Sequence, residues 1–142
     1  MSGIIVVGVD GSGTAKKAAE AARDLAGAVG ASLHVVSAFD SDRTEVFGSG
    51  SDQWIVSDAD GAENVARTVA DSLAGDVKVT YSAARGKPAE ALIKEAERLS
   101  ARMIVVGNRR MRGIGRVLGS VANSVAHNAT CDVYIANTYD AD

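Results

Sequence analysis

Residues 105–120 read VVGNRRMRGIGRVLGS, in which a strand of buried type enters a loop rich in glycine and arginine, and a helix is expected to begin at Gly119-Ser120. Glycine lets the backbone come close to an anion, and the first N–H groups of a helix have no partner within that helix. Arginine adds charge-assisted hydrogen bonds to phosphate. The segment therefore predicts a phosphate-binding loop between a strand and a helix.

The rest of the chain alternates short apolar runs with stretches of helical periodicity. Strands are predicted over residues 4–9, 33–38, 77–81, 103–106 and 133–136. Helices are predicted over residues 15–29, from Ser57 or Asp58 to Gly75, over residues 88–99, and around Val117, Leu118, Val121 and Val125. The order β-α-β-α-β-α-β-α-β predicts one α/β domain over residues 1–142: a single open doubly wound sheet of five parallel strands with four helices, a Rossmann-like fold.

Three local signals predict element boundaries and sheet position. Gly30 is expected to end the first helix, and Pro88, the only proline, is expected to begin the third. The third strand alternates apolar and polar residues over 77–82, which is typical of a strand at the edge of a sheet.

Two loops of this sheet are expected to form a ligand site. Ligands of open α/β sheets bind beyond the carboxyl ends of strands, where the strand order reverses. Asp10 follows the first predicted strand and Gly107 follows the fourth. The two loops flank one cleft if those strands are neighbours.

Two segments are predicted to lack regular structure. Residues 40–57, rich in Ser, Asp and Gly, predict a flexible surface loop. Its one apolar run, Trp54-Ile55-Val56, is expected to pack on the rest of the domain, to cover a ligand or to contact a partner protein. Residues 137–142 predict a frayed tail.

Composition excludes several classes of protein. The net charge of −3 argues against a general nucleic-acid binder, whereas arginines grouped in one loop suit a small anion. The single cysteine, Cys131, excludes a disulfide framework and a cysteine-based metal site. Because no signal peptide or membrane-spanning run is recognisable, a cytoplasmic protein without membrane contact is expected.

Three motifs resemble those of the universal stress protein family, and the resemblance covers essentially the whole chain. The first motif is Gly8-Val9-Asp10-Gly11-Ser12 and the second is Gly86-Lys87-Pro88. The third, the most specific, runs from Val105-Val106-Gly107 through Leu118-Gly119-Ser120-Val121 to Val125-Ala126-His127. The resemblance implies a five-stranded parallel sheet, a homodimer formed through strand 133–136, and in one subfamily a nucleotide site.

The resemblance also implies roles for particular residues. Asp10 would contact the adenosine portion, Gly8, Val9 and Ala38 would line the base pocket, and Val106 and Gly107 would lie along the sugar and first phosphate. Gly119, Ser120 and Val121 would offer N–H groups and a hydroxyl to the phosphates, and Arg109 would add positive charge. The implied ligand is ATP or another adenine nucleotide such as AMP or cyclic AMP, with Mg²⁺ carried by the phosphates and no metal ligand from protein side chains.

Residue 110 departs from the ATP-binding pattern of that subfamily. The pattern has a glycine three residues after the first one, where this chain has Arg110, and the spacer from there to Gly119 is one residue short. The side chain of Arg110 either occupies the space in which the phosphates would lie or forms a hydrogen bond to the phosphate itself.

Three functions stay open at this point: a dimeric, ligand-responsive stress protein that binds ATP, a cyclic-AMP-binding member, and a dimeric adaptor without nucleotide. No catalytic triad, zinc motif or Walker lysine is present. The chain is therefore expected to be a binding protein with at most slow ATP hydrolysis.

Overall fold

The fold was determined as a computed structural model, which describes residues 3–40, 45–47, 54–56, 58–73, 75–109 and 118–138. For 45–47 and 54–56 the description covers the backbone alone. The strands are β1 (Ile4–Val9), β2 (Ser32–Phe39), β3 (Glu45–Phe47), β4 (Trp54–Val56), β5 (Val79–Arg85), β6 (Met103–Asn108) and β7 (Asp132–Asn137). The helices are α1 (Gly13–Val29), α2 (Ala59–Ser72), α3 (Pro88–Arg98) and α4 (Ser120–Asn128).

The main sheet has five parallel strands in the order β5-β2-β1-β6-β7. The predicted α/β class, the five parallel strands and the four helices are confirmed. The strand predicted as an edge strand, β5, lies at one edge, and β7 lies at the other. Because β1 pairs with both β2 and β6, the strand order reverses between β1 and β6. The predicted site loops therefore start from neighbouring strands.

Both faces of the sheet are buried, which explains the continuous apolar runs of the central strands. On one face, alternate residues such as Ile5 and Val7 pack against small alanines of α1. On the other face, Val6 and Ile104 pack against Leu92 of α3. Small residues on α1 allow that helix to lie close to the sheet, so its N-terminus sits near the end of β1.

Local chemistry accounts for the predicted helix boundaries. Gly30 follows α1 in a left-handed conformation, with φ of 73°, which glycine adopts without strain. Asp58 begins α2 by accepting a hydrogen bond of 2.7 Å from the Gly61 N–H. Pro88 is the first residue of α3, as predicted.

Three boundaries differ from the sequence prediction. Within residues 40–57 the backbone of β3 and β4 forms an antiparallel pair, and each strand is too short to show a hydrophobic period. The strand predicted over residues 77–81 runs instead over Val79–Arg85, whereas the helix start predicted at Gly119-Ser120 is confirmed, since α4 begins at Ser120. Strand β7 continues through Asn137, and Thr138 is 1% exposed, so the predicted tail begins too early.

Among the residues that the structure describes, no helix is long and apolar enough to cross a membrane.

Candidate functional site

A cleft lies beyond the carboxyl ends of β1 and β6, and residues from the N-terminal ends of α1 and α4 line it. It encloses about 50 Å³. Pockets that enclose a whole small molecule measure roughly 300–1,000 Å³, so a nucleotide would lie mostly in the open mouth. The lining residues are Gly8, Asp10, Ser12, Thr14, Ala15, Gly107, Asn108, Arg109, Gly119, Ser120, Val121, Ala122 and Thr138.

Among the residues that the structure describes, no side chain accepts a capping hydrogen bond at the N-terminus of α4. Gly119 is the residue before the helix, and the first helical hydrogen bond runs from the Asn123 N–H to the Gly119 carbonyl at 2.8 Å. The preceding N–H groups, those of residues 120–122, therefore have no acceptor within the helix. These groups and the positive end of the helix dipole favour an anion.

Asn108 positions this helix end. Its Oδ1 accepts a hydrogen bond of 2.8 Å from the Gly119 N–H, and the Asn108 side chain is almost fully buried. The carbonyl of Asn108 also accepts a hydrogen bond of 3.2 Å from the Thr138 N–H. One residue at the end of β6 thus ties the start of α4 to the end of β7.

The start of α1, on the other side of the cleft, is capped by the side chain of Ser12. Ser12 accepts a hydrogen bond of 3.2 Å from the Ala15 N–H and shares one of 3.0 Å with the Thr14 hydroxyl. The Ser12 N–H donates to Asp10 Oδ1 at 3.0 Å. A carboxylate repels phosphate, so Asp10 marks the side of the cleft that suits hydroxyl or amino donors.

Gly107 is required for close packing at the floor of the cleft. A Cβ on Gly107 would lie 3.0 Å from Thr138 Cγ2 and 3.2 Å from Ala18 Cβ. The missing side chain therefore brings α1 and the end of β7 together behind the cleft.

The structure brings together most of the residues predicted from the sequence. Seven of them line the cleft: Gly8, Asp10, Gly107, Arg109, Gly119, Ser120 and Val121. Val9, Ala38 and Val106 are instead buried in the interior and do not line the cleft. Arg110 lies outside the described residues, and so do Arg112 and Arg116.

Sequence reasoning missed Asn108 and Thr138 as site residues. Asn108 is a polar residue at the end of an apolar strand, and that position was a usable signal. Thr138 gave none, because it falls within the segment predicted as a frayed tail. Gly119 is the residue before α4, and Ser120 is the first helical residue.

A second polar cluster lies between β2, β5 and α3, away from the cleft. His34 Nδ1 and Nε2 share hydrogen bonds of 2.6 and 2.8 Å with Thr80 and Ser82, respectively. The Ser82 hydroxyl donates to Glu95, which also accepts two hydrogen bonds from Arg98 at 2.7 and 2.9 Å. Burial lowers the pKa of His34, and the hydrogen bond from Arg98 lowers the pKa of Glu95 to about 2. The cluster therefore pairs a neutral imidazole with an ionised carboxylate near neutral pH.

Within the described ranges, no group of three or more His, Cys, Asp or Glu side chains is placed to hold a metal ion.

Comparison with known proteins gives a consistent result. The family model described as the universal stress protein family matches residues 1–137. A universal stress protein of Mycobacterium tuberculosis is 32% identical over 149 aligned positions, covering 94% of this chain and 95% of the relative. One from Thermus aquaticus is 33% identical over 132 positions, covering 92% and 96%.

Solved structures show the same similarity. A crystal structure of a universal stress protein in complex with cAMP superposes with a TM-score of 0.73 at 29% identity. The match covers 96% of this chain and 97% of that one.

Proposed function

The chain belongs to the universal stress protein family, and on that premise we propose that it binds an adenine nucleotide in the cleft at the carboxyl ends of β1 and β6. The observation that carries the proposal is the N-terminus of α4, whose first N–H groups have no acceptor within the helix and whose first residues line this cleft. Exposed Arg109 lines the same cleft and adds a positive charge.

The charges in the cleft orient the ligand. The phosphate lies at the start of α4, where N–H groups and Arg109 converge. The adenosine portion lies toward Asp10, whose carboxylate accepts hydrogen bonds from ribose hydroxyls or from the base. This orientation keeps the two negative groups apart.

ATP, the ligand that the family resemblance implies, is the first candidate, and cyclic AMP is the second. Cyclic AMP is supported by the 29% identical structure, which holds that nucleotide and aligns over nearly the whole chain. The small enclosed volume of the cleft also suits one phosphate group. Mg²⁺, if bound with ATP, would be held by phosphate and water oxygens.

The proposed role is ligand-responsive binding rather than catalysis. Nucleotide occupancy would change what this face of the protein offers to a protein partner. We also propose a homodimer formed through β7, an edge strand whose Tyr134 is 42% exposed.

Isothermal titration with adenosine, AMP, cyclic AMP and ATP, each with and without Mg²⁺, tests the proposal. The decisive variant is Ser120→Asp, which places a carboxylate on the first turn of α4 inside the cleft. Acidic residues stabilise a helix N-terminus by roughly 0.3–1 kcal/mol, so the variant should fold at least as well as the wild type. Its affinity for phosphate-bearing nucleotides should fall at least tenfold.

Asn123→Asp is the matched control, since it adds the same charge to an exposed position of α4 that does not line the cleft. Its nucleotide affinity should stay within about threefold of the wild type. Asp10→Asn keeps an oxygen that can accept from the Ser12 N–H but removes the charge, and it should weaken adenosine and AMP alike. A wild type that binds no adenine compound, or a Ser120→Asp variant that binds AMP normally, would refute the proposed site.

A further inference from the structure

Thr138 is a buried residue of the cleft that no motif singles out. It follows β7 directly, lines the cleft and is 1% exposed. Its hydroxyl oxygen has no hydrogen-bond partner among the residues that the structure describes. A buried hydroxyl without a partner is unfavourable, because folding removes its hydrogen bonds to water without replacing them.

The neighbours of Thr138 fix its position. Its N–H donates to the Asn108 carbonyl at 3.2 Å. Its methyl and hydroxyl groups lie 3.0 and 3.4 Å from the point that a Cβ on Gly107 would occupy. The side chain is thus held against the glycine floor of the cleft.

Asn108 connects the backbone of Thr138 to the start of α4. It accepts from the Gly119 N–H through its side chain and from the Thr138 N–H through its carbonyl. The Thr138 side chain and the first residues of α4 therefore line the same cleft at positions that one residue fixes. The Thr138 hydroxyl and the N–H groups of those residues can donate, and phosphate oxygens at neutral pH only accept.

We propose that the Thr138 hydroxyl donates a hydrogen bond to a phosphate oxygen of the bound nucleotide. This inference rests on the proposed function and extends it, because it adds a phosphate-binding residue after β7 to Arg109 and the first residues of α4. It also assigns Thr138 to the phosphate rather than to the adenosine portion.

The test compares Thr138→Val with Thr138→Ser by titration calorimetry. The ligands are adenosine and the phosphate-bearing nucleotide, chosen from AMP, cyclic AMP and ATP, that binds the wild type most tightly. Valine keeps the shape of threonine and removes the hydroxyl, so affinity for the phosphate-bearing nucleotide should fall roughly ten- to hundredfold. Adenosine affinity should stay within about twofold, and serine should restore binding of the nucleotide.

Two further readouts separate this role from a structural one. The thermal midpoint of ligand-free Thr138→Val should stay constant or rise, because the variant removes an unpartnered buried hydroxyl. Thr130→Val is the control: Thr130 is exposed and lies at the opposite end of β7, and its replacement should leave both affinities unchanged.

The outcomes are distinguishable. A Thr138→Val variant that binds the nucleotide as the wild type does, or that loses adenosine and nucleotide affinity equally, overturns the inference while the proposed function stands. A wild type that binds neither ligand removes the proposed function itself, and the Thr138 inference with it.

Discussion

The side chain of Asn108 and the backbone of Gly119 are joined by a hydrogen bond of 2.8 Å between Oδ1 and N–H, although the two residues are eleven positions apart. The bond ties the end of β6 to the residue that precedes α4, across a segment that carries the arginines. It also satisfies one N–H at the helix start and leaves those of the first turn for another acceptor. The position of the proposed anion-binding end of α4 therefore depends on Asn108, a residue of the sheet.

Replacing Asn108 by alanine tests this dependence. Asn108→Ala leaves the Gly119 N–H without its acceptor at a buried position, which costs roughly 1–3 kcal/mol. We expect a lower free energy of unfolding in urea and weaker nucleotide binding, because α4 loses its fixed starting point. Asn123→Ala, on the exposed face of α4, should change stability by no more than about 0.5 kcal/mol. Equal stability of Asn108→Ala and the wild type would contradict this role.

Gly8, like Gly107, is a position where close packing against a neighbouring side chain favours glycine. A Cβ there would lie 2.6 Å from Leu92 Cδ1, and Leu92 is 1% exposed. Gly8→Ala should therefore destabilise the protein by roughly 1–3 kcal/mol, measured by thermal and urea unfolding. Gly13→Ala is the control, since a Cβ at Gly13 meets nothing within 4 Å.

The double variant Gly8→Ala, Leu92→Ala tests whether the contact with Leu92 causes the loss of stability in Gly8→Ala. Leu92→Ala alone removes buried volume and should cost roughly 2–5 kcal/mol. If the clash with Leu92 explains the Gly8→Ala effect, the double variant loses less stability than the sum of the single variants, by at least about 0.5 kcal/mol. Strict additivity would mean that another contact is responsible.

The proposed dimer gives a prediction about β7, the strand at one edge of the main sheet. Tyr134 of β7 is the most exposed of the large hydrophobic side chains in the described ranges. Tyr134→Lys places a charge on this edge, which natural proteins use to block pairing of strands. Light scattering at micromolar concentration should show a dimer for the wild type and a monomer for the variant, with an unchanged far-UV circular dichroism spectrum. Tyr81→Lys, on the opposite edge strand, should remain dimeric.

The sequence predicted the sheet well because its central strands are buried on both faces. Continuous runs such as Ile4–Val9 leave little alternative to a parallel strand, and Gly30 and Pro88 mark boundaries through backbone geometry alone. The cleft was predictable in outline, since parallel strands bring Asp10 and Gly107 to one edge.

The parts that sequence reasoning missed depend on contacts between distant residues. The antiparallel pair β3–β4 is formed by strands of three residues each, which is too short for a periodic signal. Thr138 belongs to the cleft only because Asn108 accepts its N–H and Gly107 leaves room for it. The cluster of His34 and Glu95 joins β2 to α3, and no spacing along the chain reveals that pairing.

That cluster gives a pH-dependent prediction. The hydrogen bond from Arg98 lowers the pKa of Glu95 to about 2 from an ordinary value of 4.5. A carboxyl group with a lowered pKa in the folded state stabilises the fold above its unfolded pKa and loses that contribution as the pH falls toward the folded value. Wild-type stability should therefore decrease between about pH 4.5 and pH 2.

Glu95→Gln isolates this contribution, because glutamine has a similar shape and does not ionise. At pH 7 the variant should be less stable than the wild type by roughly 1.5–3 kcal/mol, the range for hydrogen bonds to charged groups. The difference in the free energy of unfolding between the wild type and Glu95→Gln should become smaller when urea unfolding is measured at pH values from 5 down to 3. Glu97 is exposed, and Glu97→Gln should have nearly the same free energy of unfolding as the wild type at every pH. A constant difference between wild type and Glu95→Gln over this range would show that the ionised carboxylate is not the stabilising form.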